Sequence, residues 1–148
     1  MNNEKYIEVE ISKTNNILKR KCKNSEFSRK LDEATGKNAW IIGFIADHQD
    51  RDIFQRDIED MFSIRRSTVS SMLKLMEKKG LVIRESVSCD ARLKKLSLTP
   101  RAWEIHKQMV ENLRYNEQKL CRGLTEEEKT IFFSVLEKIR SNAIEEAE

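Results

Sequence analysis

The chain has 148 residues with a formal net charge of +3, and 36% of them are charged while 7% are aromatic. Its four glycines and one proline are too few for the frequent turns of a β-sandwich or barrel, so we expect a mainly α-helical fold with one hydrophobic core. The 39% hydrophobic content argues against a disordered chain, and no apolar run is long enough to span a membrane.

Three helices are predicted in the first part of the chain. The first covers residues 4–33, although its opening residues also alternate like a strand, which leaves its start open. Apolar residues recur along it at three- to four-residue spacing: Ile7, Ile11, Leu18 and Cys22. Two shorter helices follow at 38–49, with Asn38 as the N-cap, and at 54–62.

The segment 65–80 is predicted to be a helix with two distinct faces. Its apolar face is typical of a core-facing stripe and comprises Val69, Met72, Leu73 and Met76. Its opposite face is polar and comprises Ser67, Ser71, Lys74 and Lys78. Gly80 follows the last turn, where glycine commonly ends a helix.

After Gly80 the apolar residues alternate, which predicts one β-hairpin over 81–98 with a long polar tip from Glu85 to Arg92. Thr99 and Pro100 then begin a further helix, because Thr is a good N-cap and Pro is tolerated in the first turn.

The last predicted helix begins with a capping box of Thr125 and Glu128. We therefore expect a three-helix unit with a β-wing at 36–99, and dimerisation helices at 1–35 and 100–148. The flanking helices each carry one apolar stripe without a partner in the central unit, which predicts burial against a second copy of the chain.

Positive charge is concentrated in residues 63–99, which hold nine basic and three acidic side chains and so carry +6, while the rest of the chain carries −3. Such a segment indicates contact with a polyanion such as nucleic acid. The alternative is a solvated charged face with no ligand.

Motifs of enzymes and metal sites are absent from the sequence. There is no phosphate loop or nucleophile elbow, and His48 and His106 lack the spacing of zinc ligands. Three widely spaced cysteines, Cys22, Cys89 and Cys121, are typical of reduced thiols, and the N-terminal residues lack a signal-peptide pattern. We expect a cytoplasmic protein without catalytic activity, metal or cofactor.

From about Asn38 to the C-terminus the sequence resembles the MarR family of winged helix-turn-helix transcription regulators. The resemblance is carried by RRSTVSSMLKLMEKKGLV at 65–82, by Asp90-Ala91-Arg92 and by Leu98-Thr99. In that family these are the recognition helix, part of the wing, and the approach to the fifth helix. Several positions depart from the family pattern and concern the DNA sequence that is bound rather than the fold: Arg65, Ser71, Lys74, Ala91 and Pro100-Arg101-Ala102.

The resemblance implies a homodimeric regulator, most often a repressor, that binds a pseudo-palindromic operator in double-stranded DNA. It places the 65–80 helix in the major groove and Arg92 in the minor groove, with Asp90 orienting the Arg92 guanidinium. The implied DNA-binding residues are Arg65, Arg66, Ser67, Thr68, Ser71, Lys74, Lys78, Arg84, Asp90, Arg92, Lys94 and Lys95.

The resemblance also implies release from DNA by a small effector, commonly aromatic or phenolic. Trp40 and Trp103 either line such a pocket or pack in the core. A second interpretation is a thiol-oxidation sensor of the same fold, since Cys22 lies among three basic residues that favour a thiolate, although it also lies on an apolar stripe. A third is a winged-helix protein-interaction module that does not bind DNA.

Overall fold

The computed structural model describes residues 5–145, and these form helices around one small antiparallel sheet. The helices are α1 (Ile7–Lys23), α2 (Glu26–Thr35), α3 (Ala39–Asp47), α4 (Gln55–Phe62), α5 (Arg66–Lys78), α6 (Pro100–Leu120) and α7 (Glu126–Glu145). The strands are β1 (Ile53–Phe54), β2 (Val82–Val87) and β3 (Asp90–Leu98). The predicted mainly α-helical fold with a β-wing is confirmed.

Two compact units divide the chain between Gln108 and Met109, within α6. No helix within residues 5–145 is both long and apolar enough to cross a membrane. The functional division of the chain at 35/36 and 99/100 stays a prediction.

Two helices replace the single helix predicted over 4–33, so that prediction was wrong. α1 ends at Lys23, and Ser25 caps α2 by accepting the backbone N–H of Ser28 on its hydroxyl oxygen at 3.0 Å. The same hydroxyl donates to the carbonyl oxygen of Cys22 at 2.9 Å. A serine that bonds the backbone on both sides competes with helix continuation, and apolar spacing does not reveal this competition. Residue 4, the predicted start, lies outside the described residues.

The core of the first unit lies between α3, α4, α5 and the sheet. Its fully buried members are Ile41, Ile42, Ile45, Ile53, Ile58, Val69, Leu73, Met76 and Leu81. Three residues of the predicted α5 stripe are buried and the fourth, Met72, is partly buried against the core. Each such burial contributes about 1.5–3 kcal/mol, so the stripe fixes the rotation of α5 and turns its polar face to the surface.

The sheet has the order β1-β3-β2, and its first strand was not predicted from the sequence. Ile53 pairs with Leu96 and Phe54 with Lys95. Two residues are too few to show the alternation that identifies a strand. β1 nevertheless buries Ile53 and ties the start of α4 to the wing.

The long tip predicted for the hairpin was wrong, because both strands continue to a two-residue turn at Ser88 and Cys89. Glu85 pairs with Lys95 and Ser86 with Lys94. These polar residues are mostly exposed, so no apolar alternation marks them as strand. Backbone hydrogen bonds between β2 and β3, without burial of apolar side chains, extend the hairpin to its turn.

Helix boundaries follow the predicted capping residues at two of three positions. Thr99 accepts a backbone N–H of α6 on Oγ1 at 3.1 Å. Thr125 and Glu128 form the reciprocal capping box, at 3.1 and 2.8 Å. Asn38 occupies the N-cap position of α3 but does not cap it, because its side-chain amide instead donates to the carbonyl oxygen of Gly36 at 3.1 Å.

Candidate nucleic-acid interface

The polar face of α5 lies at the surface along its whole length. Its exposed side chains include all the residues predicted to read DNA from this helix: Arg66, Ser67, Thr68, Ser71, Lys74 and Lys78. Arg65 precedes them in an extended conformation and makes no side-chain cap. The first turn of α5 therefore presents two exposed arginines and free backbone N–H groups, which together favour an anion.

Ser71 makes one hydrogen bond within the helix, from its hydroxyl to the carbonyl oxygen of Ser67 at 3.0 Å. The hydroxyl proton is used by this bond, but the oxygen keeps lone pairs that can accept. Ser71 can thus receive a hydrogen bond from a base amino group without changing its rotamer.

At the wing, Asp90 contacts Arg92 through the backbone rather than through its side chain. Asp90 Oδ1 accepts the Arg92 N–H at 2.8 Å, which shapes the chain directly after the Ser88–Cys89 turn. No ion pair joins the two side chains in the described chain, so this contact differs from the expected one. The Arg92 side chain is exposed.

A cavity of about 310 Å³ lies between α4, the start of α5 and the wing, and we call it the basic cleft. Five cationic side chains line it: Arg56, Arg66, Arg84, Arg92 and Lys94. Glu59 is the one carboxylate among its lining residues, and Phe54 and Leu96 add an apolar floor. This concentration of one charge sign in a concave surface attracts anions.

Sequence reasoning missed Arg56, although a signal was present. Arg56 lies in the first turn of α4, the helix before the recognition helix, and the helix in that position crosses the DNA backbone in helix-turn-helix proteins. The structure adds Arg56 to the candidate residues by placing it with Arg66, Arg84, Arg92 and Lys94 around one cleft.

Arg84 joins the wing to the recognition helix. Its Nε lies 3.1 Å from Glu77 Oε2, and its side chain is 22% exposed. This contact is an ion pair and not a hydrogen bond, and Nε and Nη2 are buried without a hydrogen-bond partner. The ion pair between Arg84 and Glu77 therefore holds β2 against α5. The Arg84 side chain also lines the basic cleft and adds to its positive potential.

Lys94 and Lys95 point to opposite sides of β3, because side chains alternate along a strand. Lys94 lines the basic cleft and donates to the hydroxyl oxygen of Ser86. Lys95 forms an ion pair with Asp52 at 2.8 Å, and this hydrogen bond raises the pKa of Lys95. Lys95 is thus separated from the other candidate residues.

The two tryptophans have different surroundings. Trp40 is partly buried against the core, and its ring meets that of Phe62 edge-on at 4.5 Å. Trp103 is 38% exposed and lines a second cavity, of about 280 Å³, together with Asp52 and Lys95.

The three cysteines are free thiols, and Cys22 and Cys89 are exposed. The hydrogen bond that Cys121 donates to Glu117 raises the pKa of the Cys121 thiol. Among residues 5–145, no group of three or more His, Cys, Asp and Glu side chains could hold a metal ion.

Comparisons with known proteins agree with the fold. Residues 35–93 match the model of the MarR family. The crystal structure of the transcription regulator MarR from Oenococcus oeni PSU-1 is 26% identical, with a TM-score of 0.63 over 92% of this chain and 99% of that one. A MepR variant from S. aureus is 25% identical, with a TM-score of 0.71 over 90% and 96% of the two chains. A MepR–DNA complex from S. aureus is 24% identical, with a TM-score of 0.64 over 86% and 96%. Among curated proteins, no sequence matches significantly.

Proposed function

We propose that this chain, a member of the MarR family, is a transcription regulator that binds double-stranded DNA as a homodimer. The observation that carries the proposal is the basic cleft, whose five cations lie beside the exposed polar face of α5. A crystal structure of the MepR–DNA complex, which has the same fold, supports DNA as the ligand.

In this proposal α5 enters the major groove with its N-terminal turns toward the bases. Ser67, Thr68, Ser71 and Lys74 are the candidates for base edges, because they occupy the exposed face of the helix. Arg65 and Arg66 lie at the helix N-terminus and reach bases or phosphates. Lys78, near the other end of α5, meets phosphate.

The wing supplies the second contact. Arg92 enters the minor groove, where narrow A·T-rich segments concentrate negative potential. Arg56 and Lys94, on either side of the same cleft, bind phosphates. Arg84 supports them through its ion pair to Glu77, and Asp90 through the backbone of Arg92. Lys95 can contact DNA only if its ion pair with Asp52 is broken.

A homodimer is supported by apolar side chains that the single chain leaves exposed. α1 carries Ile7, Val9, Ile11 and Ile17, and the second unit carries Leu113, Leu120, Ile131, Phe132, Phe133 and Val135. Exposed apolar side chains concentrated on particular helices favour burial against a partner, and a second copy of the chain would supply the same helices. A twofold dimer would present two recognition helices about 34–36 Å apart, one turn of DNA.

Regulation would follow from occupancy of the operator. A dimer bound across a promoter represses transcription, and a small aromatic or phenolic effector would release it. The cavity beside Trp103 is a candidate effector site, since its 280 Å³ is close to the lower size limit of small-molecule pockets. A protein with this function would bind chromosomal DNA in the cytoplasm. Its function would require no catalytic activity.

The proposal is tested by selecting duplexes from a random-sequence pool and titrating a recovered duplex by fluorescence anisotropy. We expect the affinity to fall steeply between about 50 and 200 mM salt, because phosphate contacts release counterions. Arg92→Ala should weaken binding at least about tenfold while leaving the dimer intact.

Arg122→Ala is the matched control, since Arg122 is exposed in the turn after α6 and lies outside the basic cleft. It should bind like the unchanged chain. A pool from which no duplex is enriched, or an affinity that is flat across this salt range, would contradict DNA as the ligand and leave a protein-interaction module.

A further inference from the structure

Lys79 and Lys78 are adjacent lysines at the end of the recognition helix, but their surroundings differ. Lys78 is exposed. Lys79 is half-buried, and its Nζ donates to the backbone carbonyl oxygen of Glu33 in α2 at 2.9 Å. Glu33 is 46 residues away along the chain. One lysine is thus free to meet phosphate, while the other joins two helices.

The acceptor explains why the contact is favourable. The last four carbonyl groups of a helix have no partner within it, and they form the negative end of the helix dipole. Glu33 lies in the last turn of α2, and this turn contains no basic side chain. Lys79 therefore supplies, from another helix, the cation that the end of α2 lacks.

A second cation binds the end of the recognition helix itself. Arg101, in the first turn of α6, donates from Nη1 to the carbonyl oxygen of Lys79 at 2.8 Å. The hydroxyl of Thr99 donates to the carbonyl oxygen of Gly80 at 2.7 Å. The C-terminal end of α5 is thus held by α2 through one side chain and by the start of α6 through two.

The backbone at this point leaves little freedom for other arrangements. Gly80 has a φ of +68°, and its N–H bonds to Glu77 while the next N–H, of Leu81, bonds to Met76, both at 2.9 Å. This closed helix end fixes where the Lys79 side chain leaves the helix. At the other side, Gly36 ends α2, and a Cβ at this position would lie 2.5 Å from Leu75 Cδ2 and 3.5 Å from Lys79 Cε.

We propose that Lys79 is a positioning residue for DNA recognition, which holds α5 at the required angle through Glu33 and Arg101 without touching DNA. The inference rests on the proposed DNA-binding function. Through the bond between Lys79 and Glu33, α2 helps to position the recognition helix, although α2 lies outside the predicted DNA-binding domain. A shift of α2 would move the far end of α5 through this bond.

The salt dependence of binding distinguishes positioning from phosphate contact, because each phosphate contact adds about 0.9 to the slope of log K against log salt. Lys79→Met keeps the aliphatic stem and removes the donor. We expect it to bind the duplex selected by the unchanged chain about fivefold or more weakly, with the slope unchanged. Binding to a shuffled duplex of the same composition should change less than about twofold, since only the specific complex depends on the helix angle.

Matched variants complete the experiment. Lys78→Met should weaken both duplexes similarly and lower the slope by about 0.9. Lys79→Arg, which keeps a donor, should restore the preference for the selected duplex, and Arg101→Met should reduce that preference as Lys79→Met does. Amide hydrogen exchange without DNA should be faster over Glu77–Leu81 in Lys79→Met.

Three results would overturn the inference. A lower salt slope in Lys79→Met would make Lys79 a phosphate contact, and an unchanged preference together with unchanged exchange would mean that the bond positions nothing. An equal loss on both duplexes would indicate less folded protein rather than a misplaced helix. If the unchanged chain shows no preference for any duplex, the proposed function itself fails, and this is seen before any variant is measured.

Discussion

At the scale of single residues, the immediate partner of each cation decides whether it can reach DNA. Lys78 is free while Lys79 binds Glu33, and Lys94 lines the basic cleft while Lys95 binds Asp52. The sequence identifies all four as basic residues near the recognition helix and wing. It cannot separate them, because each competing partner is distant along the chain and is brought close only by the fold.

Asp57 illustrates a carboxylate whose ionisation supports a helix start. Burial raises the pKa of Asp57, but the N–H of Phe54, at 2.7 Å, and the guanidinium of Arg51, at 2.9 Å, outweigh this effect and lower it. A lowered pKa in the folded chain means that ionised Asp57 stabilises the fold above its ordinary pKa. That stabilisation is lost as the pH falls through the folded value.

We therefore predict that Asp57→Asn lowers the free energy of unfolding by about 0.5–1 kcal/mol at neutral pH, because the amide can still accept from Phe54 but cannot pair with Arg51. The difference should shrink as the pH falls below the ordinary pKa of Asp57 and through its lowered pKa in the folded chain. Urea unfolding at a series of pH values measures it. Asp60→Asn, on the same helix in a wide exposed pair with Arg56, should have no such effect, and a pH-independent loss in Asp57→Asn would refute the assignment.

At the scale of elements, periodicity predicted those that bury an apolar face and missed those that do not. α5 was predicted closely because Val69, Leu73 and Met76 must reach the core. The two-residue strand β1 and the extended tip of the hairpin depend on backbone hydrogen bonds, and the break at Ser25 depends on the bonds of its hydroxyl to the backbone. Neither kind of bond leaves an apolar pattern in the sequence. The candidate residues on α5 and on the wing were predicted from the sequence and stay a prediction, whereas Arg56 joins them only through the fold that closes the basic cleft.

The end of α2 gives a prediction at this scale. Gly36 has a φ of +61°, and a Cβ there would lie 2.5 Å from Leu75 Cδ2. Gly36→Ala should lower the free energy of unfolding by about 1–2 kcal/mol from backbone strain, with a further loss if Leu75 cannot rotate away. Thermal or urea unfolding followed by circular dichroism measures the change.

Gly43→Ala is the control for this substitution. Gly43 lies within α3, and a Cβ there would meet nothing within 4 Å. Alanine should stabilise α3 by about 0.5–1 kcal/mol, so the two substitutions are expected to have opposite signs. Equal effects would show that the conformation of Gly36 is not what requires glycine.

At the scale of the whole molecule, the exposed apolar side chains are the main feature that one chain leaves unexplained. Many of them lie on α1 in the first unit and on α6 and α7 in the second, where Leu113 is 69% and Phe132 is 58% exposed. The sequence predicts an apolar stripe on each of these helices without a partner in the central unit, which is why a second copy is expected, but only some of the exposed side chains belong to those stripes. Which helices of the two copies meet was not predictable, since an apolar stripe does not specify its partner.

We predict a dimer of twice the 17.4 kDa chain mass in multi-angle light scattering at micromolar concentration. Phe132→Glu should shift the equilibrium to monomer, because a buried carboxylate in an apolar interface is costly. Ser134→Glu adds the same charge at another exposed position of α7 and serves as the control. A monomeric unchanged chain would remove the basis for two-site binding to a pseudo-palindrome.

β1 pairs with only two residues of β3, and this affects the stability of the wing. β3 pairs with β1 only at Leu96 and Lys95. Nearer the turn it pairs with β2 alone, and there the register is irregular, since Ser86 pairs with Lys94 but Val87 pairs with Asp90 and so skips residues 91–93. A two-stranded ribbon is marginally stable in water, and its tip opens more readily than its base. In the proposed complex, Arg92 is therefore carried on the part of the wing that can change its curvature, which would let one protein fit minor grooves of different width. If DNA orders this tip as proposed, the conformational entropy that is lost opposes binding, so operator affinity would reflect the stiffness of the wing as well as its contacts.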